Sequence, residues 1–271
     1  TIKPKEVLTN GEVIFTDGTN DVRSNQITCE AYGYNWGGKS QKCFAYRHNS
    51  KVHTSFSNTT NQLQGAENNI EKGSGTTIIN GNKNTVKSNS RNNLINGESN
   101  EVGTDIQNAV VFGKFGKVLR KAEVVIGGGL GLGLAQSSIV QLSGTSTNTT
   151  PTHLTIQGFT DEFIPLQNNS ILSFEAKVIG MVSGGSSGTV GHYIYQEIIG
   201  VVRTDNAYDR EFSQSTTTIA SDGTTGSAVM ANPTSQNISV QVTAGGENIN
   251  IEWFASVQLT EKKLTSATFT H

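Results

Sequence analysis

Between Gln62 and Gly127 a branched apolar residue recurs at every eighth position: Ile70, Ile78, Val86, Leu94, Val102, Val110, Val118 and Ile126. Five positions ahead of most of these anchors stands a residue that accepts positive φ, at Gly65, Gly73, Gly81, Asn89, Gly97, Asp105 and Gly113. Two positions ahead stands Asn, at Asn68, Asn84, Asn92, Asn100 and Asn108. So short a fixed period leaves room for one strand and one turn per unit, which predicts stacked coils of a parallel β-roll or β-solenoid. Asn- and Gly-rich sequence can also be disordered linker, but eight anchors in unbroken register argue against that. Calcium-binding rolls need an acid in each turn, whereas only Asp105 is acidic among these turn positions.

A second period lies inside the first. The residue after each anchor position is apolar only in alternate units, at Leu63, Ile79, Ile95 and Val111, and is Glu71, Lys87 and Gly103 between them. Successive side chains of a strand face opposite sides. If the anchors form the roll core, these following residues point outward, giving sixteen-residue coils with one wet and one dry outer face. The dry stripe Leu63, Ile79, Ile95 and Val111 is then the expected interface of a homotrimer, since a ring of rolls buries one repeated patch around its axis.

Composition narrows the functional classes. Charged residues make up 15% of the chain, below the usual quarter or so, and the net charge is −2. This balance offers no electrostatic footprint for nucleic acid or an anionic membrane, and no apolar run is long enough to span a bilayer. Cys29 and Cys43 are the only cysteines. They form one disulfide in an oxidising setting or stay reduced, and with scattered His they do not make a zinc site. No metal, cofactor or membrane insertion is expected.

The chain divides into four parts. Residues 1–56 form a small N-terminal β/loop module with an aromatic cluster, Tyr32, Tyr34, Trp36, Phe44 and Tyr46. Residues 57–127 are the octapeptide roll. Residues 128–136 form a Gly/Leu neck, in which Leu130, Leu132 and Leu134 alternate with Gly and three chains are expected to approach closely. Residues 137–271 read as a β-sandwich of seven or more short strands separated by Gly/Ser/Asn turns. The last of these strands alternates cleanly through Ile251, Trp253, Ala255, Val257 and Leu259. No amphipathic helix is expected.

Four segments of the C-terminal half carry a family resemblance: residues 172–178 (LSFEAKV), 198–203 (IIGVVR), 238–243 (ISVQVT) and 251–261 (IEWFASVQLTE). Over roughly residues 150–262 the chain resembles a β domain found at the ends of tailed-bacteriophage tail-fibre and other virion-surface proteins, and Trp253-x-Ala255 is the most specific piece. The roll is similar to the heads of trimeric surface adhesins. Together these resemblances imply an all-β homotrimeric fibre on the virion surface. Its partners would be itself, other virion proteins, and a host glycan or protein receptor. Tyr208 and Phe212 are the candidate receptor contacts, while Tyr193 and Tyr195 are expected to pack against strands.

Catalysis is not expected from the residues. Cleaving a polysaccharide needs two carboxylates about 5–10 Å apart in a cleft. The acids here are sparse, the closest groupings being Asp161, Glu162, Asp205, Asp209 and Glu211, and the five His accompany no nucleophile motif. The sequence reading is therefore a non-enzymatic attachment fibre. Its alternatives are a capsid decoration or head-fibre protein without a receptor, a polysaccharide depolymerase, and a trimeric adhesin of a bacterial cell surface.

Overall fold

A computed structural model describes residues 2–8, 10–38, 40–45, 51–52, 61–207, 210–223 and 226–265. Among these residues the chain is all-β apart from one short helix, and it includes a β-solenoid of about four turns. Two compact units divide the chain, residues 1–114 and 115–271, so the boundary falls inside the eight-residue repeat.

The first unit opens with a small module. Strands β1 (Lys3–Val7), β2 (Val13–Thr16) and β3 (Asp21–Val22) form an antiparallel sheet, and β4 (Asn35–Gly37) pairs with β5 (Lys42–Phe44). Helix α1 (Gln26–Ala31) starts where the Asn25 side chain accepts from the Thr28 amide, a standard N-cap that satisfies an otherwise orphaned donor. The expectation of no helix missed it, because six residues are too few to show a helical period. Val13, Phe15, Cys29 and Cys43 form the module's core. Tyr32 and Tyr34 meet Phe15 edge-on, with ring centroids 5.9 and 6.3 Å away. Tyr46 lies outside the described residues. Cys29 and Cys43 are disulfide-bonded across a separation of 14 residues and are buried. So small a core supplies little stability by itself, and closing a loop of this length contributes about 3 kcal/mol. Cys29→Ser should lower the melting transition of this module by about that amount and leave the solenoid transition in place. Scanning calorimetry on the full chain reads both.

The solenoid uses two columns of strands. One holds β6 (Lys51–Val52), β8 (Asn69–Ile70), β10 (Thr85–Val86) and β12 (Glu101–Val102). The other holds β7 (Gln62–Gln64), β9 (Ile78–Asn82), β11 (Leu94–Glu98) and β13 (Val110–Lys114). All pairs are parallel, with Ile78 opposite Leu94 opposite Val110 and Ile79 opposite Ile95 opposite Val111. Every turn position singled out in the sequence, from Gly65 to Gly113, has positive φ, including Asn89 at 61° and Asp105 at 59°.

The two columns do not bury the same repeat position. In the first, the anchors Ile70, Val86 and Val102 are fully buried. In the second, the buried residues are Ile79, Ile95 and Val111, one position later, and Ile78 is 40% exposed. The inner residues are therefore spaced alternately by nine (Ile70 to Ile79) and seven (Ile79 to Val86), and the apparent period of eight is their average. A one-residue change of register exchanges the two faces of a strand. This corrects two expectations. Ile78, Leu94 and Val110 are not roll core but point outward, and Ile79, Ile95 and Val111 are not an outer interface but core, with Leu63 half-buried above Ile79.

Buried amides hold successive coils in register. The Asn84 amide nitrogen donates to Asn68 Oδ1 (3.1 Å) and to the Gly97 carbonyl (2.9 Å). Asn84 Oδ1 in turn accepts from the Asn100 backbone N–H and its side-chain amide (3.0 and 3.1 Å). Asn68, Asn84 and Asn100 form this ladder, whereas Asn92 and Asn108 lie on the surface because their column is shifted by one residue. The turn glycines stack equally closely: a Cβ on Gly97 (φ +146°) would overlap the Gly113 carbonyl. Gly97→Ala should therefore cost at least about 1–3 kcal/mol from backbone strain alone and shift urea denaturation of the solenoid by that amount.

The second unit begins with β14 (Lys117–Val118) and β15 (Val124–Gly128), which continue the repeat. Val118 and Val125 are buried, while Ile126, expected as roll core, is exposed. There follow β16 (Ala135–Ser146), β17 (Thr152–His153), β18 (Thr155–Ile156), β19 (Ile164–Pro165), β20 (Ser170–Gly184), β21 (Tyr193–Thr204), β22 (Arg210–Ser221), β23 (Gly226–Thr234), β24 (Asn237–Ala244) and β25 (Asn250–Lys263). A large antiparallel sheet runs in the order β22-β21-β20-β25-β16-β15, with β18 also on β16, and a smaller sheet runs β17-β24-β19 with β23 on β24. Their shared core holds Phe174, Val178, Ile198, Val240, Trp253 and Leu259 among others. Trp253 is buried against Gly180, where any side chain would strike its ring, and its indole N–H donates to Ser146 Oγ at 2.8 Å. Polar atoms of buried Trp need such partners.

The Gly/Leu run is not an extended neck within the chain. β15 and β16 pair antiparallel, so the run between them reverses the chain, with Gly129, Gly131 and Gly133 all at positive φ. Glycine serves here by turning the backbone.

Candidate assembly and attachment surfaces

Three sets of polar and apolar groups stand out. The first is the outward stripe Ile78, Leu94 and Val110 on the solenoid, which the register places side by side. Phe112, two residues after Val110, points the same way and is exposed. The opposite column carries polar groups outside. Glu71 there pairs with Lys87 at 3.0 Å and accepts from the Ser88 hydroxyl. The Lys87 hydrogen bond, reinforced by Ser88, holds the Glu71 carboxyl below its ordinary range despite some desolvation. That stabilisation is present at neutral pH and is lost as pH falls through the depressed folded value.

The second set is a buried ion cluster in the second unit. Arg120 is 1% exposed and reaches Glu123 (2.5 Å), Glu261 (2.6 Å) and the Pro165 carbonyl (3.0 Å). Gln136 donates to Glu261 and bonds the backbone of Lys117 on both sides. Burial pulls the guanidinium down, but the two carboxylates outweigh it and hold it above its ordinary value. Nothing in the sequence marked this cluster, because Glu261 is 141 residues from Arg120. It ties the turn after β14 to the last strand.

The third set is a cleft of about 340 Å³ between the β21–β22 edge and the β23–β24 hairpin. Hydroxyls of Thr218, Ser221, Ser227 and Thr243 line it over a floor of Ile194 and Ala244. Ser227 and Thr243 share a hydrogen bond of 2.9 Å, and Thr218 accepts from Gln196. At the neighbouring rim His192 stands 3.9 Å from Asp222. Such a lining suits a neutral, hydroxyl-bearing ligand.

The expected receptor contacts are not on one surface. Phe212 packs against the core and lies 5.5 Å from the Phe174 ring, and Tyr208 is outside the described residues. Tyr193 is exposed, and half-buried Tyr195 donates to Glu197 at 2.6 Å. The acids are dispersed. Glu162 pairs with Lys121, Asp205 accepts from the Ala207 amide, Glu211 pairs with Arg203, Asp161 is exposed, and Asp209 is outside the described residues. His153 is held below its ordinary value by burial. Among the described residues no group of three or more His, Cys, Asp or Glu could hold a metal ion. No helix among them is long and apolar enough to cross a membrane.

No family model matches the chain, and no curated protein matches it. Solved structures that it resembles are phage tailspikes. The Acinetobacter baumannii phage AM24 tailspike is 11% identical, with a TM-score of 0.29, over 74% of this chain and 47% of its own. Tailspike gp49 of Acinetobacter baumannii bacteriophage Fri1 is 9% identical, with a TM-score of 0.30, over 81% and 45%. The Acinetobacter phage vB_ApiP_P1 tailspike is 10% identical, with a TM-score of 0.21, over 76% and 49%. The chain thus spans less than half the length of these structures. The Fri1 tailspike is described as a capsular polysaccharide depolymerase, which overturns the expectation that the protein is not an enzyme. Sparse acids in one chain are no ground for excluding polysaccharide cleavage.

Proposed function

We propose that this chain is part of a virion-surface fibre or spike that assembles as a homotrimer and engages host-surface polysaccharide. The observation that carries this reading is the outward stripe Ile78, Leu94 and Val110, repeated at each coil of a solenoid otherwise polar outside. A monomer leaves that stripe in water, and a ring of three buries it around one axis. The solenoid of about four coils then supplies the contact around that axis. The hydroxyl-lined cleft between β22 and β23 supports a carbohydrate ligand, and the near-neutral charge of −2 fits an uncharged one.

Light scattering of the purified chain at micromolar concentration tests the assembly. The expected mass is three times 28.9 kDa, and a single-chain mass removes the proposal's basis. Incubation with purified capsular polysaccharides, reading retained polymer and newly formed reducing ends together, tests engagement and separates holding from cleaving. A panel giving neither signal rejects the ligand class.

A further inference from the structure

The outer face of the large sheet in the second unit carries two apolar zones among polar positions. Strand β20 alternates strictly, burying Leu172, Phe174, Ala176 and Val178 and turning Ile171, Ile179 and Met181 outward. Ile179, 49% exposed, lies opposite both Phe254 of β25 and Tyr195 of β21, and Met181 lies opposite Tyr193. Farther along the same face stand Ile199 and Val201, and across the sheet Ile139 lies opposite Val124. A band of charge separates the two apolar zones, with Lys177 3.8 Å from Glu175 and Glu197 accepting from Tyr195.

We infer that this sheet face is an interface with a second copy of the same chain. The inference rests on the homotrimer reading above and extends it from the solenoid to the second unit. Area supports it: five strands about 4.8 Å apart and about 40 Å long present roughly 1,000 Å², against about 800 Å² per partner in a stable interface. Charge selects the occupant. Glu175, Glu197, Glu211 and Glu252 stand against Lys177, Arg203 and Lys262, a local charge of about −1, so the face has no positive field to draw an anionic polymer or membrane. Its Ile, Val, Met and Phe side chains, with Tyr193 and Tyr195 among them, suit packing in an interface core, where aromatic residues and Met are enriched. A second copy also satisfies the need in fixed stoichiometry, since a cyclic contact reuses the same surfaces on every subunit.

Thiol accessibility tests this directly, because the chain's two cysteines are bonded to each other. Ile179→Cys replaces an exposed residue and should not disturb the core. Val229→Cys, at a 39% exposed position on β23 of the other sheet, serves as the accessible control, and Leu94→Cys reports on the solenoid stripe. In the assembled protein maleimide should label Ile179→Cys on the order of tenfold more slowly than Val229→Cys, and the two rates should converge when dilution separates the subunits. Equal rates in the assembled state overturn the inference. If Leu94→Cys alone is protected, the trimer stands and the sheet face is solvent-exposed. If Ile179→Cys alone is protected, the sheet face stands and the solenoid stripe does not. A single-chain mass by light scattering rejects both.

Discussion

Replacing Arg120 by Leu should destabilise the second unit by about 3–5 kcal/mol, the usual cost of removing one partner from a buried ion pair. The reason is stoichiometric. Glu123 and Glu261 are both buried, and Arg120 is their shared cation, 2.5 and 2.6 Å away. Without it two carboxylates lie in a low-dielectric interior without a countercharge, and the Pro165 carbonyl loses its donor. Replacing the whole cluster is a different experiment. Arg120→Met combined with Glu123→Gln and Glu261→Gln removes the charges together and should recover most of the loss, because a buried ion pair often gains little over uncharged groups of similar volume. Thermal melts of the single and triple variants check both statements. A single variant as stable as the parent would mean that water reaches the cluster.

Lysine at two adjacent positions of β11 should have opposite consequences. Ile95 is fully buried between Ile79 and Val111 in the solenoid core, so Ile95→Lys places an unpaired ammonium among aliphatic side chains. The expected loss exceeds about 4 kcal/mol, enough to abolish the solenoid's circular dichroism signal or drive the chain into aggregates. Leu94 faces outward on the same strand. Leu94→Lys should keep the solenoid's circular dichroism signal while weakening the assembly, so that the scattering mass falls at a higher protein concentration than for the parent, because three lysines around one axis repel each other. Equal behaviour of the two variants would refute the nine-and-seven spacing of the inner residues.

The site was less legible than the fold. Positive φ at the turns, stacked coils and the alternation of β25 all follow from local chemistry, and each could be read from residue type and spacing. β23 carries no local strand signal, because its segment, residues 226–234, contains Pro233 and mixes small and polar residues without a clean alternation. Phe212 was misplaced because an aromatic residue near a loop carries no mark that distinguishes core from surface. The cleft between β22 and β23 and the Arg120 cluster join strands far apart in the chain, and no local period records such a meeting.

Residue type and spacing alone mark a repeat-built β fold, because turn torsions and strand alternation are local properties that each eight-residue unit repeats, but they leave open whether Cys29 and Cys43 are bonded. Which side of each strand lies inside depends on how the coils close in three dimensions. With two adjacent apolar residues, as at Ile78-Ile79 and Leu94-Ile95, either can face the core. The choice depends on unequal arms of the coil closing over a shared interior, and a one-residue difference there turns a presumed interface into core and a presumed core into surface.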